Sequence, residues 1–368
     1  MGIGLSANKE RGDSPDVPTK DVALVLASGG ARGLAYIGAI EELERRGYNI
    51  TSVSGCSMGS LVGGMYAAGK LEEFKQFLYS IDNMQIISMM DLSISASYLV
   101  KGEKIMEALA RIVPDVNIED LPIPFAAVAT DLYTGEEVVF REGSLLDAIR
   151  ASISVPSLFK PYKIGHRTLI DGGLTNTFPL DLAIRSGHDI LVGFDVNDID
   201  AESINAYLSE LHEINEDMSL YSRDNKMARD SIVTDTTMTL IDKIAEVGSS
   251  NKVYRQARKE ASARRSELQS HGKELRVPVN ADDNFYSILK RSISITNHVI
   301  ANKMIEKCPP DVLVRMVMDE PNVKMAYARA REISEIGRDL MSNALDEYEA
   351  RTSHMDEEEG VIVQEEED

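Results

Sequence analysis

A serine flanked by glycines is the most specific chemical pattern in the sequence. Residues 55–59 read Gly-Cys-Ser-Met-Gly, which is a G-x-S-x-G pattern between a predicted strand and a predicted helix. In this arrangement the serine lies on a tight turn with its oxygen exposed, and the glycines let neighbouring backbone pass close by. The dipole of the following helix favours negative charge that develops at the turn. Ser57 is therefore the predicted nucleophile.

A second glycine-rich turn comes earlier, at residues 29–33, which read Gly-Gly-Ala-Arg-Gly. Such a turn directs several backbone N–H groups towards one point and therefore suits an anion. One interpretation is a phosphate cradle, but no Lys-Ser/Thr pair follows, and Ser28 replaces the first glycine of a dinucleotide fingerprint. The other interpretation is an oxyanion hole, and the close succession of the two turns favours it.

A carboxylate is the predicted base. Asp171 ends a predicted strand and opens an Asp-Gly-Gly turn, whose glycines allow close approach to the Ser57 turn. Asp131 and Asp195 also end predicted strands and rank below it. No histidine occupies a recognisable motif; the six are His166, His188, His212, His271, His298 and His354.

The elements around these turns predict an α/β fold, because two strand–turn–helix units in succession call for a largely parallel sheet. We predict strands at Val22–Leu26, Ile50–Ser54, Phe125–Thr130, Glu136–Phe140, Thr168–Ile170, Ile190–Val196 and Val312–Val317. We predict helices from Leu34 to about Gly47 and at Leu61–Ala68, Leu145–Ala151 and Ala326–Leu345.

Changes in composition, hydrophobic pattern and charge along the sequence divide the chain into five parts. A flexible leader (1–20) precedes the catalytic α/β core (21–200), a helical insertion (201–283) and a segment that completes the core (284–345). Residues 346–368 carry eleven acidic side chains against one basic one, and we expect a disordered tail there.

The composition excludes several classes of protein. The 368 residues include 39 Lys+Arg against 60 Asp+Glu, a formal net charge of -21. This balance argues against a nucleic-acid partner and against a protein held on anionic lipid by charge alone. Cys56 and Cys308 are too few for a disulfide framework or a four-thiolate metal site. We therefore expect reduced thiols, no metal and a cytoplasmic protein.

The leader contains no apolar run of signal-peptide length, and no stretch of the chain has the length of a membrane span. Gly2 and Ser6 match the pattern for N-terminal myristoylation. A flexible, unmodified leader is the favoured interpretation.

The three motifs in this order resemble the patatin-like phospholipases, particularly their bacterial branch. Residues 150–156 (Arg-Ala-Ser-Ile-Ser-Val-Pro) and 159–161 (Phe-Lys-Pro) resemble the segment that precedes the family's Asp-Gly-Gly turn. The resemblance covers residues 22–196 and resumes at 284–345. It implies a three-layer patatin-like fold with a mostly parallel central sheet. Ser28 stands where many members have a third glycine, and the insertion is longer than we expect.

The resemblance also implies an activity, that of a lipid acyl hydrolase of the phospholipase A or lysophospholipase kind. Ser57 would form the acyl-enzyme and Asp171 would be the general base, with no histidine and no cofactor. The implied substrate is a lipid or another acyl ester, with transient contact to a membrane surface. The implied oxyanion hole consists of backbone N–H groups around Gly29, Gly30, Ala31 and Arg32, and the implied elbow and turn glycines are Gly33, Gly55, Gly59, Gly172 and Gly173.

Alternatives stay open at this point. One is a Ser-Asp-His esterase of the α/β-hydrolase type, with His188 or His298 as the base. Another is a non-catalytic scaffold that binds partners through the insertion. Residues 84–99 are either the wall or lid of an acyl groove or ordinary core, and the basic stretch 252–276 faces lipid headgroups or water.

Overall fold

The computed structural model describes residues 20–81, 91, 98–114, 116–200, 285–317 and 327–365, with the single positions 85, 88, 89, 205 and 209. Residues 1–19, nearly all of the predicted insertion and much of segment 84–99 lie outside the described residues. The chain divides into two compact units, one comprising 1–195, 299–315 and 324–368, the other 196–298 and 316–323. Every residue predicted for the catalytic site belongs to the first unit.

Within the described residues there are ten strands. Eight belong to the main sheet, and β3 pairs with β6 in a separate two-stranded sheet. Their bounds are β1 Lys20–Leu26, β2 Tyr48–Cys56, β3 Tyr98–Val100, β4 Phe125–Asp131, β5 Glu137–Phe140, β6 Ser157–Phe159, β7 Tyr162–Ile164, β8 Arg167–Asp171, β9 Ile190–Asp198 and β10 Val312–Val317.

The described helices include the four predicted above and three more, which are α3, α4 and α6. Their bounds are α1 Ala35–Arg45, α2 Met58–Ala67, α3 Leu71–Ser80, α4 Glu103–Ala110, α5 Leu145–Ser152, α6 Phe285–Lys307 and α7 Ala330–Glu365. In the part of the chain that the structure describes, none of them has the length and apolar content needed to cross a membrane.

The main sheet has the order β10-β9-β1-β2-β4-β8-β7, and β5 also pairs with β4. Strands β9, β1, β2 and β4 pair in parallel. Strand β4 pairs antiparallel with β5 and with β8, and β8 pairs antiparallel with β7. Leu26 lies beside Gly55, so the turns that follow β1 and β2 emerge at the same edge. The last residue of β8, Asp171, pairs with Ala129, one position beyond the Cys56–Val128 pair. The register therefore brings Asp171 level with the Ser57 turn.

Central strands of the sheet are buried on both faces. Residues 22–26 of β1 and 125–129 of β4 are continuous apolar runs with almost no exposed surface. Such runs are typical of parallel strands that are covered on both sides, which is the arrangement of a three-layer α/β fold. The predicted fold class is confirmed.

The C-terminal helix α7 packs directly on α1. A Cβ atom added to Gly38 of α1 would collide with the main chain of Ser334, and one added to Gly337 of α7 would collide with the main chain of Ala35. The two helices thus touch through their backbones, which only residues without a side chain allow.

Helix α7 also extends past Leu345, where we predicted its end, to Glu365. The Asp346 carboxylate lies 2.7 Å from Arg46, and the Glu349 carboxylate lies 2.8 Å from Lys20. The structure therefore differs from the expected disordered tail at residues 346–353, because these acids find cations near the start of β1 and β2.

Candidate active site

Ser57 lies on the turn between β2 and α2, in a backbone conformation that residues other than glycine rarely adopt. Its φ is 53° and its ψ is -118°, and the residue is buried, with 5% of its surface exposed. Such strain costs about 1–3 kcal/mol and persists only where the surroundings hold it. Here the main-chain N–H of Ser57 donates to Oγ of Ser152 (2.8 Å), and its carbonyl accepts from Oγ of Ser60 (2.7 Å).

The elbow glycines permit the close packing that this turn needs. A Cβ atom on Gly55 would collide with the Gly59 carbonyl, and one on Gly59 would lie 2.7 Å from the carbonyl oxygen of Ala27. Gly59 thereby brings the Ser57 turn onto the end of β1. Gly33 does the same from the other turn, since a Cβ there would lie 2.7 Å from Cβ of Met58. The two glycine-rich turns are in contact.

The carboxylate of Asp171 accepts a hydrogen bond from the hydroxyl of Ser57. The distance from Ser57 Oγ to Asp171 Oδ2 is 2.6 Å, while Oδ1 accepts the main-chain N–H of Gly173 at 2.8 Å. Gly172 allows this approach, because a Cβ there would collide with the carbonyl of Val128. The structure thus brings together the two residues that the sequence predicted as nucleophile and base.

Burial raises the pKa of Asp171 to about 6, against the opposing effect of the hydrogen bonds from Ser57 and Gly173. The carboxyl is therefore ionised at neutral pH and is a stronger base than an ordinary aspartate. This favours proton transfer from a serine hydroxyl.

The rival aspartates have other surroundings. The Asp131 carboxylate accepts the main-chain N–H groups of Tyr133 (3.0 Å) and Thr134 (3.2 Å), and these hydrogen bonds lower its pKa. Asp131 is thus a turn former. Asp195 is buried in β9. The hydroxyl of Ser57 donates its hydrogen bond to Asp171 and not to Asp195.

The histidines that the structure describes lie in other settings. His298 has its Nδ1 3.1 Å from the carbonyl oxygen of Asn197, and His188 is exposed. His166 lies close enough to Asp131 to lower the pKa of that carboxyl. Residues 212 and 271 lie outside the described residues.

The turn predicted as an oxyanion hole contains a short 3-10 helix, Gly30–Leu34, which residues 27–29 connect to the end of β1. Gly30 has a φ of 53°, which favours glycine. The main-chain N–H of Arg32 donates to the Gly29 carbonyl at 3.2 Å, so this one of the predicted donors is already engaged. The main chain of Ser28 is held as well, by the Thr177 carbonyl at 2.8 Å.

Sequence reasoning gave no role to three residues that the structure places next to the pair. Ser152 accepts from the main chain of Ser57, the Ser154 carbonyl accepts the main-chain N–H of Asp171 (2.9 Å), and Arg150 binds Ser154. The only signal in the sequence was that residues 150–156 resembled a family segment. Their spacing alone does not predict any contact with a turn almost a hundred residues earlier.

Comparison with known proteins identifies the family to which this part of the chain is similar. Residues 24–184, which contain both glycine-rich turns and Asp171, match the family model described as patatin-like phospholipase. The chain carries a patatin-like phospholipase domain. Its three-layer fold with a mixed, mostly parallel sheet is the patatin fold.

Relatives share this domain rather than their whole length. An uncharacterized NTE family protein of Mycobacterium tuberculosis is 44% identical over 180 residues, 49% of this chain and 50% of the relative. Patatin-like phospholipase domain-containing protein 6 of Mus musculus is 31% identical over 194 residues, 50% of this chain and 14% of that protein. The chain thus spans about half the length, or less, of these curated relatives.

Among solved structures, VipD from Legionella pneumophila matches with a TM-score of 0.39 and 16% identity, covering 90% of this chain and 67% of that one. A similarity this low carries no conclusion about function.

Proposed function

We propose that this chain hydrolyses carboxylic esters of lipids through an acyl-enzyme on Ser57, with Asp171 as general base. The observation that carries the proposal is the 2.6 Å hydrogen bond between the Ser57 hydroxyl and the buried Asp171 carboxylate. The patatin-like phospholipase domain supports lipid hydrolase activity in general. The catalytic pair, the phospholipase A or lysophospholipase type of reaction and transient contact with a membrane surface are the finer parts of the proposal.

Acylation needs one proton acceptor and one site for negative charge. Ser57 Oγ attacks the ester carbonyl carbon while Asp171 Oδ2 takes the hydroxyl proton. The carbonyl oxygen becomes an oxyanion, and the backbone N–H groups of residues 29–31 stabilise it. When the C–O bond to the alcohol breaks, the carboxylic acid of Asp171 returns its proton to the leaving oxygen.

Deacylation repeats these steps with water. Asp171 takes a proton from the water molecule, the hydroxide oxygen bonds to the acyl carbon, and a second oxyanion forms in the same place. When the acyl–serine bond breaks, Asp171 returns the proton to Ser57 Oγ and a carboxylic acid leaves. The pKa of about 6 suits a group that must both take and return a proton near neutral pH.

The test compares wild type with Ser57→Ala and Asp171→Asn on short acyl esters and on a panel of diacyl and lysophospholipids. We expect both variants to lose hydrolysis while remaining folded, and only wild type and Asp171→Asn to retain a nucleophile for a fluorophosphonate probe. Ser52→Ala is the matched control, because Ser52 is a buried serine on β2, the strand that leads into the Ser57 turn, and its hydroxyl donates to the Ile184 carbonyl. Hydrolysis that survives Ser57→Ala would contradict the proposal.

The same assays separate the alternatives. A Ser-Asp-His esterase requires that His188→Ala or His298→Ala abolish hydrolysis, whereas the Ser57–Asp171 pair predicts near-normal rates for both variants. A non-catalytic scaffold predicts that wild type neither hydrolyses esters nor reacts with the probe.

A further inference from the structure

Arg150 is a buried cation with neutral partners. It lies in α5 with 5% of its surface exposed. Its guanidinium donates to Ser154 Oγ (2.6 Å) and to the carbonyl oxygens of Lys101 (2.8 Å) and Lys160 (2.9 Å). Arginine suits such a place because its planar group offers several donors in fixed directions.

Two aromatic rings enclose the same guanidinium. Its central carbon lies 5.7 Å from the ring centre of Phe159 and 5.3 Å from that of Tyr162. A Cβ added to Gly102 would lie 3.1 Å from the Arg150 Nε, so the backbone at residue 102 closes a further side. Burial lowers the pKa of Arg150 but leaves it charged. The side chain is therefore held in one position by its surroundings.

Residues 152–154, which follow Arg150, contact both members of the proposed catalytic pair. Ser152 Oγ accepts the main-chain N–H of Ser57 at 2.8 Å, and the Ser154 carbonyl accepts the main-chain N–H of Asp171 at 2.9 Å. One short segment thus sets the backbone position of the nucleophile and of the base.

Arg150 in turn fixes that segment. The Ser154 hydroxyl accepts a hydrogen bond from the Arg150 guanidinium and donates one to the Arg150 carbonyl at 2.7 Å. The hydroxyl is therefore held both as acceptor and as donor. The two carbonyl acceptors, of Lys101 and Lys160, directly follow β3 and β6. The guanidinium therefore ties the segment to the two-stranded sheet formed by β3 and β6.

We propose that Arg150 is a positioning residue for the Ser57–Asp171 pair and acts through Ser154. The inference rests on the proposed function and assigns to it a residue that does not touch the reacting atoms. Its effect is on geometry: a catalytic group displaced by about 1 Å costs on the order of a hundredfold in rate. Loss of Arg150 should therefore slow the chemical step without weakening substrate binding.

The experiment measures kcat and KM for a short soluble ester in Arg150→Met, which keeps an unbranched chain as far as the position of Nε and removes the donors. We expect kcat to fall about 10- to 100-fold and KM to stay within about twofold. The control is Arg46→Gln, since Arg46 is also largely buried and its ion pairs lie at the start of β2, the end away from Ser57. A kcat no lower than that of the control at equal folded fraction would overturn the proposal.

A double-mutant cycle with Ser154→Ala tests the route from Arg150 to the pair. Ser154→Ala removes the hydroxyl link and keeps the carbonyl that binds Asp171. We expect Arg150→Met to lower kcat much less in the Ser154→Ala background than in wild type. Equal fold-changes in the two backgrounds would show that Arg150 acts independently of Ser154, against the proposal.

Two further comparisons complete the design. If Arg150→Met does not fold, Ser154→Ala alone decides, because it must lower kcat at an unchanged KM. Arg150→Lys should restore little, since one ammonium group cannot reach three diverging acceptors. An inactive wild type would contradict the proposed function, whereas an active wild type with unaffected variants would contradict only this inference.

Discussion

The hydroxyl of Ser57 lies 2.6 Å from Oδ2 of Asp171, a residue 114 positions later in the chain. The contact exists because β8 runs antiparallel to β4 and ends at Asp171, level with the end of β2. A carboxylate in this position has little access to water. Its negative charge is stabilised by two hydrogen bonds, from Ser57 and Gly173, and not, among the described residues, by an ion pair with a cation.

The first prediction concerns the pH dependence of hydrolysis. Because Asp171 must be ionised to accept a proton and its pKa is raised to about 6, kcat/KM should fall as the pH drops through 6 and level off above about 7. The measurement is kcat/KM on a soluble ester between pH 4.5 and 8. A midpoint near 4 would mean an ordinary carboxyl. A histidine base would also titrate near this pH, so the acid limb must persist in His188→Ala and His298→Ala.

The second prediction is that Asp171→Asn makes the protein more stable at neutral pH. A pKa raised from 3.8 to about 6 on folding means that the folded state favours the protonated carboxyl. The resulting stabilisation is fully present below pH 3.8 and is lost as the pH rises through 6. Removing the buried charge should therefore raise the free energy of unfolding by at most about 3 kcal/mol at pH 7.5.

Thermal unfolding of wild type and Asp171→Asn at pH 7.5 and 5 checks this prediction, and the difference should shrink at the lower pH. Asp131→Asn is the matched control with the opposite sign, because hydrogen bonds lower the pKa of Asp131 and its charge therefore stabilises the fold at neutral pH. A loss of stability in Asp171→Asn at pH 7.5 would contradict the argument.

The third prediction separates a glycine needed for packing from one needed for conformation. Gly59→Ala would place a methyl group against the carbonyls of Leu26 and Ala27, so the two glycine-rich turns must move apart. We expect a loss of about 3 kcal/mol in unfolding free energy and a strong decrease in kcat. Gly135→Ala meets nothing within 4 Å and has only its φ of +70° to accommodate, at about 1–2 kcal/mol. Equal kcat values in the two variants would refute the close approach.

The fourth prediction concerns α7. The Glu349 carboxylate accepts from Lys20 at 2.8 Å and from Tyr48 at 2.9 Å, and these hydrogen bonds lower its pKa. Since Glu349 is partly exposed, Glu349→Gln should cost about 0.5–1 kcal/mol at neutral pH and leave kcat unchanged. Glu347→Gln, at an exposed neighbouring position, should cost nothing. Identical melting temperatures for the two variants at low salt would contradict the ion pair.

The sequence predicted the Ser57–Asp171 pair because glycines lie within two residues of both side chains, and close backbone approach requires glycine. It predicted β1 and β4 because strands buried on both faces appear as continuous apolar runs. It could not predict the contacts of Ser152 and Arg150, since these depend on how α5 is placed against a turn far earlier in the chain.

The course of α7 past Leu345 was not predictable for a related reason. A run of acidic residues normally repels itself and stays unfolded. Here Asp346 and Glu349 meet Arg46 and Lys20, whose positions about 300 residues earlier give no local signal.

The backbone contact between α1 and α7 also bears on how the protein is made. Helix α1, which follows the Gly30–Leu34 turn, leaves the ribosome long before α7, which carries its partner Gly337. The Gly38 face of α1 thus stays uncovered while the intervening residues are synthesised, and native packing beside the turn forms only after α7 has emerged. A nascent or truncated chain that contains Ser57 and Asp171 but lacks α7 is, for this reason, not yet a finished domain.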